Sequence, residues 1–428
     1  MRNIRLYLAA AGLIGASLLG STTASTSGGY LETNLAAKGQ TETGSNPVVL
    51  ITDLVADVRN LIDRNGILQG AAVIDPNLVN PWGITESAAS PFWVADNNQG
   101  VSTIYRVPGA NNTPASVVPL VVSIPSPSDP LNPKGAPTGA VFNLGLAGQG
   151  FKISGVDQHN NAATAAAIFL FATENGTIVG WNPGINPPGF DPNKAGTYGI
   201  VAVDNSTNPT AADGAVYKGL AMATDTTTGK TFLYATNFRA GTVEVYDPSF
   251  TLVTPSSNAF TDPKLKSGYA PFNIIPANGE LFVTYAVQDA AKHDDVAGHA
   301  HGIVDTFDLN GQMIARFTQH GHLNSPWGLT QAPASFGPFA GAILIGNFGD
   351  GRINAFDPGT HEFLGTVVNS KGQEILIDGL WGLRVGNGGA GGEINTIYFT
   401  AGPNGEKDGL FGSLTPVALG TPCGRPCI

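Results

Sequence analysis

Cysteine is almost missing from this chain. Of 428 residues only Cys423 and Cys427 are cysteines, both among the last six positions. A disulfide framework through the body is therefore excluded, and the core must hold by packing alone. In an exported chain the pair either closes a small loop or stays as free or intermolecular thiols, and a C-x-x-x-C without further cysteines is a weak metal signal. Charge is also scarce: Asp, Glu, Lys and Arg make up 12% of the chain, and the net charge is −11. An acidic, sparsely charged surface argues against nucleic acid or an anionic membrane as partner. Helical periodicity is nearly absent. No H-E-x-x-H and no G-x-S-x-G occurs, which leaves a zincin helix or a hydrolase elbow without support. Gly386 to Gly391 matches G-x-G-x-x-G, but it joins two strands and opens no helix, so the dinucleotide reading fails on context.

No stretch reaches the roughly 20 apolar residues of a membrane helix. The apolar run Leu6 to Leu19 follows Arg2 and Arg5 and leads into small residues at Ser21 to Ser25. That order describes a secretory signal peptide over residues 1–25, cleaved near Ala24. Residues 26–47, rich in Ser, Thr, Gly and Asn, read as a flexible leader. Residues 48–415 then form one domain, and 416–428 a C-terminal tail. We expect a secreted or periplasmic monomer with no integral membrane segment after cleavage.

What the sequence has in abundance is turn residues and a repeated phrase. The 56 Gly and 30 Pro exceed ordinary usage but fall below the ~25–30% that marks disorder, which favours turn-dense β structure. The phrase PWGI (Pro81 to Ile84) returns as PTGA (Pro137 to Ala140), YKGL (Tyr217 to Leu220), PFNI (Pro271 to Ile274), PWGL (Pro326 to Leu329) and LWGL (Leu380 to Leu383). Its third positions, Gly83, Gly139, Gly219, Asn273, Gly328 and Gly382, step by 56, 80, 54, 55 and 54 residues. A period of this size signals an array of similar units. Each copy reads as four short strands between turns. Six such units predict an all-β, six-bladed propeller.

The sixth copy runs out after three strands, while VVLITDLVAD (Val48 to Asp57) stands unpaired ahead of the first copy. This segment is expected to complete the last blade and close the ring, removing an exposed edge. The long second step is assigned to a surface loop over residues 184–213. An insertion from Val287 to Gly302 lies between the second and third strands of the fourth copy. Trp82, Trp327 and Trp381 share one repeat position, and wedge packing between blades is the expectation for them, with a share in a central pocket as the alternative.

These repeats resemble NHL-type six-bladed propellers. They are also similar to an uncharacterised family of exported bacterial propellers in the phrases NPWGI, FWVADN, GAVYKGLA, NFRAGTVEVYD, KHDDVAG, NSPWGL and DGLWGL, which begin at Asn80, Phe92, Gly214, Asn237, Lys292, Asn324 and Asp378. The resemblance covers about residues 48–414 and implies fold and export. Some relatives end in a PEP-CTERM sorting tail; TPCGRPCI here lacks the apolar segment and basic end. The family supplies no activity to carry over.

In a propeller the loops after second strands and those before first strands open on one face. Asp96, Asn97, Glu174, Asn175, Asn237, Asp289, Asn347, Asp350 and Asn404 follow the second strands. Asp75, Asn77, Asp213, Asp262, His320, His322 and Asp378 precede the first strands. Most such Asn and Asp cap turns; together a ring of them suits a hard cation, as in six-bladed lactonases by fold-level analogy alone. The densest cluster is His293, Asp294, Asp295, His299 and His301, with His320 and His322 one loop away. Imidazole with carboxylate is a transition-metal set, so these seven are the candidate ligands of a divalent metal ion; the plain alternative is a solvated loop. The leading functional reading is an exported scaffold binding a protein or small molecule. The alternatives are a metal-dependent hydrolase or lyase acting on the face of the KHDD loop, and a structural surface protein.

Overall fold

A computed structural model describes residues 48–108, 114–129, 131, 134–253 and 258–417. The signal peptide, the leader and the cysteine-bearing end of the tail lie outside them. Six antiparallel sheets follow one another around an axis. Their innermost strands are Pro81–Thr85, Pro137–Phe142, Tyr217–Thr224, Tyr269–Ala277, Pro326–Gln331 and Leu380–Val385. Each is the repeated phrase, and each touches the next in a closed circle. The fold is a six-bladed β-propeller. No helix among the described residues is long and apolar enough to cross a membrane.

The glycine at the third position explains why the phrase recurs. A Cβ on Gly83 would stand 2.4 Å from the carbonyl oxygen of Thr138 in the next blade. One on Gly139 would stand 2.4 Å from the amide nitrogen of Leu220. Neighbouring inner strands approach backbone to backbone, and a side chain there has no room. The fourth blade departs from the rule, with Asn273 in this place. Its Nδ2 donates to the Trp327 carbonyl at 2.7 Å, so here a side chain bridges to the next blade.

The predicted closure is present. Val48–Ala56 pairs antiparallel with Leu410–Pro416, in register from Val49 opposite Pro416 to Ala56 opposite Leu410. The amide of Val417 donates to the Val48 carbonyl at 2.9 Å. Val55 and Ala56 are buried in the sixth sheet. The connection that follows contributes a small hairpin, Leu61–Ile62 with Leu68–Gln69, and the strand Val73–Ile74 beside Val55 and Ala56.

Two expectations need correction, and one strand departs from the repeat. The residues assigned to a surface loop at 184–213 contain the second blade's fourth strand, Ile200–Asp204, and bury Ile185, Asn186, Phe190 and Tyr198. Part of the long step is instead a separate hairpin, Lys152–Val156 with Ala162–Ala166, whose small, alternately exposed residues give little strand signal. The fourth strand of the first blade is split into Ser116–Val117 and Val122–Ser123, both on the third strand; Pro119 between them offers no amide to the ladder. The three tryptophans do not wedge between sheets. They turn inward and meet one another at the axis.

Candidate functional site

The second residues of the six repeated phrases are Trp82, Thr138, Lys218, Phe272, Trp327 and Trp381. Four of them are aromatic and form a plug with Phe238 and Phe348. Trp82 stacks on Trp381 with centroids 3.5 Å apart, Phe348 also stacks on Trp381 at 3.9 Å, and Trp327 meets both Trp82 and Trp381 edge-on. Lys218 is the one charged member of the set, and its side chain is 1% exposed. Its ammonium lies 4.9 Å from the Trp82 ring centroid, within cation–π reach.

Carboxylates from other blades hold this cation. Glu174, directly after the second strand of blade two, accepts a short hydrogen bond from Lys218 Nζ. Asp294, in the long loop of blade four, accepts another at 3.1 Å. Asn97 of blade one donates to the second Glu174 oxygen at 2.8 Å. Burial pushes the Lys218 ammonium down, but the opposed pull of Glu174 and then Asp294 outweighs it and holds the pKa above the usual lysine range. Lys218 is thus a fixed positive charge at neutral pH and no nucleophile.

Two further titratable groups face the same point. His293 Nδ1 lies 2.9 Å from Asp294 Oδ1. That hydrogen bond, more than any other influence, holds Asp294 well below the usual carboxylate range and raises His293. Glu406, in the turn Pro403–Glu406 of blade six, is pushed up to about 7, first by burial and next by the negative charge of Glu174. Asn80 ties this carboxyl to the plug: its Nδ2 donates to Glu406 at 3.2 Å while its Oδ1 accepts from the Trp381 indole at 3.0 Å. Five blades therefore converge on one mouth. It offers a locked cation, acidic groups around it, and a carboxyl that exchanges its proton near neutrality.

Of the seven predicted ligands, the structure brings His293 and Asp294 to this centre. One ligand atom from each, with one from Glu174, lie within 4.8 Å of one another. Asp295 is turned inward, where burial raises its carboxyl. The other imidazoles stand apart. His299 is exposed. His301 Nδ1 sits 2.9 Å from the Val296 carbonyl, and His320 Nδ1 sits 3.0 Å from that of Ala300. His322 stacks on Phe363 at 3.6 Å. Most of the other polar loop residues serve the backbone: Asp96 accepts from the Thr103 amide, Asn237 from Val216 and Ala240, and Asp289 from His293. Asp378 instead binds Arg64 and the Asn404 amide. Lys218 and Glu406 escape the sequence reading. The available signal for Lys218 was its position, charged where the other copies carry Trp, Phe or Thr.

No protein-family model matches the chain. It is 31% identical to the uncharacterised protein L690 of Acanthamoeba polyphaga mimivirus over 365 residues, spanning 83% of this chain and 85% of that one. The uncharacterised protein R648 of the same virus is 30% identical over 347 residues, 80% of this chain and 76% of the relative. The chain belongs to the family of these mimivirus proteins. Both relatives are uncharacterised, so kinship with them assigns no activity. Similar solved structures include a virginiamycin B lyase from Staphylococcus aureus, at 13% identity and TM-score 0.43, covering 80% of this chain and 97% of that one. A glucose dehydrogenase is 10% identical with TM-score 0.44, at the same coverage of each chain. These likenesses carry nothing about the chemistry of the family.

Proposed function

We propose that the protein is an exported six-bladed propeller that binds a small cationic ligand at the upper mouth of its axis. One observation carries this reading: a lysine buried to 1% exposure and held by Glu174 and Asp294 at a repeat position where aromatic residues fill the plug. A buried ion pair adds little to stability compared with apolar residues of similar size. Its presence where Trp or Phe would close the core points to a role in recognition. Three carboxyls, those of Glu174, Glu406 and the 64%-exposed Asp294, stand against the Lys218 ammonium and the His293 imidazole, and this leaves an acidic surplus for a positively charged group once Glu406 ionises. Export rests on the signal-like N-terminus; the expected kinship with exported bacterial propellers is not supported, since the relatives found are mimivirus proteins.

A metal-dependent hydrolase or lyase is the second reading, favoured by the ligand atoms of Glu174, His293 and Asp294. Against it, Lys218 already occupies the space between two of those carboxylates, so an ion must displace an ammonium held on both sides. Calorimetric titration with spermidine, and separately with calcium, magnesium and zinc, distinguishes the two. We expect spermidine to bind, with affinity rising through about pH 7 as Glu406 ionises and as His293, raised above the usual imidazole range, gives up its proton, and Glu406→Gln to reduce that rise. A stoichiometric metal, lost in Asp294→Ala with Asp295→Ala, would replace the binding reading with the metal-dependent one.

A further inference from the structure

Beyond the plug, toward the opposite face, the axis opens into a cavity of about 630 Å³. Its walls are the far ends of the inner strands, including Ile84, Leu220, Met222, Ile275, Leu329 and Leu383. The volume lies within the ~300–1,000 Å³ of small-molecule sites, and the mostly apolar wall with a few polar groups is the usual make-up of one.

The polar groups are not spread evenly. Directly after the repeated phrase the blades carry Thr85, Val141, Ala221, Ile275 and Thr330, but blade six carries Arg384. Its Nε donates to both oxygens of Glu86, at 2.9 and 3.1 Å. The Glu86 side chain is 5% exposed and Arg384 43%. Burial pushes the Glu86 carboxyl up, opposed by the Arg384 charge. Glu86 therefore fixes one edge of the guanidinium. Nη1 and Nη2 make no hydrogen bond to Glu86, and Arg384 lines the cavity, so these two nitrogens are left to meet an incoming anion. A guanidinium edge matches a carboxylate in a two-point hydrogen bond.

We propose that this lower cavity binds a small apolar carboxylic acid, its hydrocarbon part among Leu220, Met222, Ile275 and Leu329 and its carboxylate on the outer nitrogens of Arg384. The site is separate from the Lys218 mouth and stands whether or not that reading holds.

Decanoate titrated into the full chain by calorimetry tests the proposal, with decanol as the uncharged comparison. Decanoate is expected to bind saturably and more tightly than decanol. Arg384→Gln alone would strand the buried Glu86 carboxylate, so it is combined with Glu86→Gln. That pair is expected to weaken decanoate about tenfold while leaving decanol unchanged. Thr330→Trp, at the partly exposed rim, is expected to abolish binding of both by filling the space. Absence of saturable decanoate binding to the wild type overturns the proposal. So does equal affinity in the Glu86→Gln, Arg384→Gln protein, or binding that survives Thr330→Trp.

Discussion

Lys218 shows how much one side chain can depend on distant parts of the chain. Its partners Glu174 and Asp294 lie 44 and 76 residues away. Removing the ammonium leaves Glu174, itself only 11% exposed, as an uncompensated charge, whereas Asp294 retains water. Lys218→Met is therefore expected to cost about 3–5 kcal/mol in denaturant unfolding. Adding Glu174→Gln is expected to restore most of that loss, because the glutamine can still hydrogen-bond Asn97 and no charge is stranded. If the double variant is as unstable as the single one, the lysine acts by packing and the ion-pair account fails.

Among the elements, the inner strands carry the strictest demands. Gly139 meets the Leu220 amide of the next blade where a Cβ would go, while Gly148, in a loop of the same blade, has open space. Gly139→Ala is expected to destabilise by about 1–3 kcal/mol or more, and Gly148→Ala to leave the melting temperature nearly unchanged. Equal effects at the two positions would refute the close-approach explanation. The same strands explain what could be read in advance. A constraint imposed six times leaves a period, so the blades, their order and the closing ribbon were legible in glycines and strand-length runs. The site was less so. His293 and Asp294 stood out by composition, yet their neighbours Glu174, Lys218 and Glu406 come from three other blades, and nothing local links them. His299, His301, His320 and His322 looked equally promising because a sequence shows proximity along the loop and not the carbonyls and rings that engage them. The hairpin at 152–166 was missed for a related reason: KISGV and AATAA are too rich in small residues to announce strands.

On the scale of the whole molecule, six sheets behave as one body because Val48–Ala56 is shared between the two ends of the chain. Deleting residues 48–57 leaves Leu410–Pro416 as a bare edge and uncovers the buried side of the sixth sheet. The truncated protein is expected to self-associate in a concentration-dependent manner, read by light scattering, and to lose a single cooperative melt. A monomeric truncated protein with an unchanged melt would show that the ribbon is dispensable.

That arrangement also fixes an order of events in the cell. The ribbon emerges from the ribosome before any blade, yet its partner strand is the last part of the sixth blade to be made. Five blades can pair as they appear, each with its own hairpins, while the first segment waits for a neighbour that does not yet exist. A nascent or stalled chain is therefore an open crescent, and protection from proteases arrives late and all at once.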